Sequence, residues 1–255
     1  GEGLPDLAAM NIRETCYVPN AADPEGLMRQ KSNTPTRLGI WRAGPRYLTE
    51  PWLRFRADHA AARDAVMLEV DEKLLEEMGL FTVQTQVRDK EEYLTRPDLG
   101  RRLSEEAKAI IRERCQMKPQ VQIVVVDGLS STAIEANLRD FLPALMQGLK
   151  NVGLSVGTPF FVKYGRVAVM DDIGEILQPD IVIEAVGERP GLVTAKSMSA
   201  YMCWRPRHGT IESDRSLISN IHDGGTPATE AGAAVAAFAK RIFDNQASGT
   251  KLANA

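Results

Sequence analysis

Cysteine is scarce: three in 255 residues, Cys16, Cys115 and Cys203, odd in number and far apart. Such spacing excludes a disulfide framework and the close ligand pairs of a structural zinc site, and it fits a reducing compartment. Histidine is as rare, at His59, His208 and His222. No apolar run approaches the roughly 18 residues of a membrane span, and no signal-peptide pattern opens the chain. The sequence begins at Gly1 without a Met, which leaves room for native residues ahead of it. Net charge is only −3, with both signs mixed along the chain, so neither nucleic acid nor an anionic membrane is indicated as a partner. Gly-x-Gly-x-x-Gly is missing after the first strong strand, and Gly-x-x-x-x-Gly-Lys-Ser/Thr and Gly-x-Ser-x-Gly are missing altogether. Those absences argue against a standard dinucleotide site, a P-loop and a hydrolase nucleophile elbow. Neither a cysteine–histidine pairing nor a pair of catalytic carboxylates stands out. The expectation is a soluble, intracellular chain with no catalytic residue and no metal site of its own.

What is present is a substantial core: 44% of residues are hydrophobic and 25% charged. Residues 1 to about 35 read as a short helix at best and an extended arm. Pro51 sits at the first position of a helix predicted from Trp52 to about Glu69, capped by Thr49 or Glu50. Shorter helices are predicted over Glu72 to Met78 and from Glu105 to about Met117, the latter capped by Ser104, with a strand over Phe81 to Val87. From Pro119 the pattern changes. Val121 to Val126 is nearly continuous and β-branched, as in a strand covered on both faces. A helix from about Ala133 to Leu149 follows, then apolar runs at Phe160 to Val162 and Val167 to Met170. A short helix at Ile173 to Leu177 leads to a strand at Ile181 to Val186, broken by Gly187-Glu188-Arg189-Pro190-Gly191. Ala200 to Trp204 is a further strand candidate, Arg215 to Ile221 is mixed, and Ala228 to Asn245 is an alanine-rich helix. This alternation predicts an α/β fold: a smaller, mainly helical portion over 1–118, then a Rossmann-like domain over 119–255 with a mainly parallel sheet.

In such a sheet ligands bind outside the carboxyl ends of the strands, which directs attention to two loops. Asp127-Gly128-Leu129-Ser130-Ser131 reads either as a ligand loop or as a sharp turn with Ser130 or Ser131 capping the next helix. Glu188 reads either as an acceptor for a ligand's amide or hydroxyl groups or as half of a local pair with Arg189. Asn220-Ile221-His222-Asp223-Gly224-Gly225 is one residue away from Asp-x-His-x-x-Gly, by which some proteins ligate cobalt through His. Here Asn220 stands where the orienting Asp belongs, so a turn is the stronger reading.

Several ordered motifs resemble one family, the small (light) subunit of ethanolamine ammonia-lyase. They are Tyr93-Leu94-Thr95-Arg96-Pro97-Asp98-Leu99-Gly100, Val126-Asp127-Gly128-Leu129-Ser130, Gly157-Thr158-Pro159-Phe160-Phe161-Val162, Tyr164-Gly165-Arg166-Val167, Val186-Gly187-Glu188-Arg189-Pro190-Gly191-Leu192 and Ile218-Ser219-Asn220-Ile221-His222. The resemblance runs from about residue 38 to the end. It implies an adenosylcobalamin-dependent bacterial enzyme of two chain types that converts ethanolamine to acetaldehyde and ammonia by a radical mechanism. It places ethanolamine mainly on a large catalytic subunit and the cobalamin site at the interface, with this chain closing the cofactor's lower side. It also implies a cytoplasmic hetero-oligomer, held within a bacterial microcompartment. Carried over by position, the cofactor contacts fall at Val167, Glu188 and Leu217. Family members can carry Cys at the last of these, so only an apolar or main-chain contact is expected of Leu217. The competing expectation is a stand-alone cobalamin or nucleotide carrier, in which His222 would become an axial ligand.

Overall fold

The computed structural model describes residues 10–191 and 194–253. Expectations for the opening nine residues and for Leu192 lie outside the described residues. The chain separates into two compact units at Asp64/Ala65, with Gly191 and Thr194 counted with the first.

The first unit opens with α1, Pro24–Ser32, whose N-terminus is closed by Asp23 accepting from the Gly26 N–H at 2.8 Å. A two-residue hairpin follows, β1 Arg42–Ala43 against β2 Arg46–Tyr47. Helix α2, Thr49–Met67, carries Pro51 in its first turn, where the missing N–H costs nothing. Along it Trp52, Phe55 and His59 form a continuous aromatic row, with ring centroids 5.9 and 4.6 Å apart.

The second unit is built on one six-stranded sheet. In chain order come α3 Glu72–Glu77, β3 Phe81–Gln84, α4 Lys90–Thr95, α5 Glu105–Arg114, β4 Val121–Val126, α6 Ser131–Asn151, β5 Phe160–Lys163 and α7 Val169–Leu177. They are followed by β6 Ile181–Gly187, β7 Met198–Trp204, β8 Arg215–Ile221, α8 Ala228–Asn245 and α9 Thr250–Ala253. The strand order is β3-β5-β4-β6-β7-β8. The first four strands run parallel, whereas β7 pairs antiparallel with β6 and β8 with β7. The fold is therefore α/β with a mixed sheet: most of its strands run in one direction, as the expected mainly parallel sheet requires, and β7 alone runs against them. The reason is local. Among the described residues no helix stands between β6 and β7, and a short return connection can only join antiparallel neighbours. The strand expected at Ala200 to Trp204 and the mixed Arg215 to Ile221 are the two members of that antiparallel edge.

The change of pattern at Pro119 suggests a boundary at 118/119, and residues before it take part in the sheet. Strand β3 pairs with β5 over Phe81 to Gln84, and Val83, Leu103, Ala107 and Ile111 share one core cluster with Val124, Val126 and Val162. These residues cannot leave the sheet without exposing its α5 face. Alternation along the strands gives each face its own core. Ile123, Val125, Ile183 and Ala185 pack with α6 and α8, and Val124, Val126, Val182 and Val186 with α5 and α7. Helix α8 crosses α6 through Gly148 and Gly232: a Cβ on Gly148 would lie 2.6 Å from that of Ala236, and one on Gly232 only 2.7 Å from the Phe141 carbonyl. The apolar run beginning at Val167 turns out to be a turn and the opening of α7. The helix capped by Asp89, at α4, gives no apolar periodicity in the sequence.

Candidate functional site

The carboxyl ends of β4, β5 and β6 are tied together by their own loops. Asp127, just after β4, accepts from the amides of Tyr164 and Gly165 after β5, at 2.8 and 3.1 Å. Burial raises the Asp127 pKa to about 6, against the opposing effects of the Lys90 charge and the amide hydrogen bonds. The Leu129 N–H donates to the Gly187 carbonyl at 3.0 Å, joining the β4 and β6 loops. Both glycines there are required by proximity. A Cβ on Gly128, at φ +58°, would lie 2.2 Å from the Gly187 carbonyl, and one on Gly187 would lie 2.0 Å from that of Ser130. Of the two readings of the Asp127 loop, the structure realises the capping one: Ser130 accepts from the Ala133 N–H at 3.1 Å and opens α6.

Val167 lies half-buried in the turn between β5 and α7 and packs against the α5/α7 core cluster. Its turn is fixed from outside. The Arg166 N–H donates to the Gly100 carbonyl at 2.8 Å, its guanidinium donates to the Tyr93 carbonyl at 2.8 Å, and the Tyr93 hydroxyl donates to the Gly165 carbonyl at 3.1 Å. The sequence run from Tyr93 to Gly100 thus serves the β5 loop across the fold.

Glu188 follows β6 directly. Its N–H donates to the Ser197 carbonyl at 3.0 Å, and the returning segment is anchored on α6 by Ser130 to the Ala195 carbonyl and by Asn137 to the Lys196 carbonyl at 2.8 Å. The side chain meets Tyr201 of β7, whose hydroxyl donates to Oε1 at 3.4 Å. Tyr201 is in register with Leu217 of β8, which is 49% exposed. Glu188 just beyond β6, Tyr201 of β7 and Leu217 of β8 therefore form a strip on the sheet face whose core α5 and α7 share. Burial and the neighbouring Glu188 push the Tyr201 pKa up to about 12, so its hydroxyl stays a donor.

Two more residues of β6 and β7 point to this face, and both are missed by sequence reading. Glu184, opposite Tyr201, is fully buried, and among the described residues neither carboxyl oxygen has a hydrogen-bond partner. Burial drives its pKa well above the ordinary carboxylate range, more than the Arg215 charge lowers it. Ser199 is likewise buried with an unpartnered hydroxyl. The signal for Glu184 was visible, a lone acid inside an apolar strand, but its surroundings were not. Chemically the strip offers an anionic acceptor, a phenol and an apolar side chain along an open edge, suited to a ligand with amide or hydroxyl donors and an apolar rim.

The three histidines have local partners. Gly224 N–H donates to His222 Nδ1 at 3.0 Å, and His222 Nε2 meets Asn220 Oδ1 at 2.7 Å, so both ring nitrogens close the turn. His208 Nε2 lies 2.5 Å from Asp172 Oδ1, and His59 packs edge-on against Phe55. Among the described residues, no group of three or more His, Cys, Asp or Glu side chains is arranged to hold a metal ion. A cleft of about 450 Å³ lies on the opposite sheet face, lined by residues that include Glu69, Glu72, Glu76 and Lys163. Its Glu69 is engaged by Lys163 at 2.9 Å and by the Tyr164 hydroxyl. No helix of the described residues is long and apolar enough to cross a membrane.

Comparison with known proteins bears on this geometry. The family model described as ethanolamine ammonia-lyase light chain (EutC) matches residues 24–253. The ethanolamine ammonia-lyase small subunit of Fusobacterium nucleatum is 51% identical over 249 residues, covering 98% of this chain and 84% of that one. The corresponding subunit of Clostridium perfringens is 52% identical over 251 residues, covering 98% and 85%. That of Listeria monocytogenes is 51% identical over 249 residues, again covering 98% and 85%. With the match running through every strand of the sheet, this chain belongs to the ethanolamine ammonia-lyase light chain family.

Proposed function

We propose that this chain is the non-catalytic small subunit of an adenosylcobalamin-dependent ethanolamine ammonia-lyase, and that it completes the cobalamin site at the interface with a large catalytic subunit. The observation that carries this reading is the strip of Glu188, Tyr201 and Leu217, open on one side and backed by the unpartnered Glu184 and Ser199. Cobalamin presents amide side arms, sugar hydroxyls and the apolar edge of a corrin, and the residues fit it. Glu188 accepts from an amide or hydroxyl, while Val167 and Leu217 pack on apolar edges. Leu217, without sulfur, contributes contact area alone. When bound, the group supplies a cobalt–carbon bond that breaks homolytically and so provides the radical that starts conversion of ethanolamine to acetaldehyde and ammonia. This chain's share is placement of the cofactor and exclusion of water from one side of it. An open strip needs a second wall, which supports a shared site over a stand-alone carrier. His222 has both ring nitrogens engaged in its turn, which speaks against the carrier reading in which it would serve as a ligand. We place the assembly in the cytoplasm, within a bacterial microcompartment.

The test is acetaldehyde formation from ethanolamine and adenosylcobalamin, using this chain, a large subunit of the same enzyme, and both together. Activity is expected only in the mixture, with Glu188→Ala weakening it at limiting cofactor. A mixture that forms a stable complex yet turns over no ethanolamine sinks the proposal.

A further inference from the structure

We propose that Tyr201 is a positioning residue of the cofactor site, holding the Glu188 carboxylate toward the open face of the sheet. The inference rests on the cobalamin-contact reading above and deepens it. Glu188 stands just beyond the last paired residue of β6, where the chain turns out of the sheet, and only its backbone is fixed, through Ser197. Left alone, a glutamate there has three rotatable bonds and no defined direction. Tyr201 supplies one. The body of its ring is half-buried against the α5/α7 core cluster, its backbone is paired on both sides within the sheet, and its hydroxyl meets Oε1 of Glu188. At 3.4 Å that contact is long for a hydroxyl–carboxylate bond, leaving room for it to tighten once Glu188 takes a ligand.

Strand register explains why this tyrosine and no other serves. Tyr201 pairs with Glu184 on one side and with Leu217 on the other, so it occupies the middle of the strip. Glu184 lies next to it on the same face, fully buried and, among the described residues, without a hydrogen-bond partner. Tyr201 thus links two of the three expected contacts, Glu188 through its hydroxyl and Leu217 through the β7–β8 pairing.

The experiment uses the assembled complex of large and small chains, its assembly verified by size-exclusion chromatography, and reads equilibrium binding of cyanocobalamin from the visible spectrum of the corrin without substrate. Tyr201→Phe keeps the ring and removes only the hydroxyl. It is expected to weaken binding about fivefold, the effect of one net hydrogen bond. Glu188→Ala is expected to weaken binding at least as much, and Tyr201→Phe placed on top of it to add nothing, because the hydroxyl acts through the carboxylate. A purely structural tyrosine would instead leave Tyr201→Phe equal to wild type, or give a further loss in the Glu188→Ala background; either result overturns the inference and leaves the cobalamin contact standing. Wild-type affinity in Glu188→Ala itself would remove the cobalamin-contact reading, and this inference with it.

Discussion

Arg215, at the start of the edge strand β8, holds both carboxylate oxygens of Asp171 from α7, each 3.1 Å from one guanidinium nitrogen. The Arg215 side chain is 2% exposed, and its other terminal nitrogen reaches Glu212 at 2.8 Å. This pair fastens the outermost strand to a helix that packs over the sheet interior. It thereby fixes the strand that carries Leu217. Removing one partner of a buried pair strands the other's charge in a poor solvent. Arg215→Met is expected to destabilise the chain by about 3–5 kcal/mol, whereas adding Asp171→Leu should recover most of that loss. Urea unfolding of the single and double variants checks both.

Leu217 lies two residues along the same strand and contrasts with Arg215 in being half-exposed. Leu217→Asp should therefore change stability by no more than about 0.5 kcal/mol. If the residue packs on an apolar edge of the cofactor, the same change places a carboxylate against it. Cobalamin affinity of the assembled complex should fall roughly tenfold or more. Equal affinity in wild type and variant would remove Leu217 from the proposed contacts.

Asp172 is a second acid at the head of α7. It accepts from the Leu103 N–H at 2.8 Å and from Arg102 at 2.9 Å, and it meets His208. Burial alone would raise its pKa, but these three partners outweigh it and the net shift is downward. A depressed carboxylate contributes stability that is complete above its unfolded pKa, near 4, and is lost as pH falls through the folded value. Asp172→Ala should cost about 2 kcal/mol at pH 7, chiefly by orphaning the buried Leu103 N–H. The gap between wild type and variant should shrink as denaturation is followed down to about pH 3.

Asp127 has the opposite sign. Its folded pKa, about 6, lies above the unfolded value, so its contribution is most favourable at low pH and worsens as pH rises to about 6. The loss over that window is on the order of 3 kcal/mol. Asp127→Asn cannot ionise and retains one acceptor for the Tyr164 and Gly165 amides. Wild-type stability relative to this variant should therefore decline between pH 4 and pH 7, as read by urea midpoints. A difference that stays flat across the range would mean that Asp127 is ionised throughout.

Much of this architecture is legible in the residues. Val121 to Val126 is a strand because six consecutive apolar or neutral side chains with β-branching suit a position covered on both faces, and β4 occupies those residues. Alanine-rich Ala228 to Asn245 is a helix between a proline and a left-handed Gln246, as its composition predicts. Ser104 and Ser130 cap the helices that follow them. Family membership was legible too, since ordered motifs spanning most of the chain carry it.

Other features depended on pairing between distant residues. Arg215 to Ile221 has a mixed pattern because it is an edge strand, with Arg215 buried by Asp171 and Leu217 left open. Its antiparallel direction follows from the short return after β6, which no periodicity reports. The Asp127 loop reads in sequence either as a ligand loop or as a capping turn, and only the structure shows Asp127 holding two amides from another loop. Local sequence determined where strands and helices form, through side-chain shape, capping and the alternation of apolar residues. Only the tertiary structure decided which strands are neighbours, and so set Tyr201 between Glu188 and Leu217, because register is fixed by burying whole faces at once.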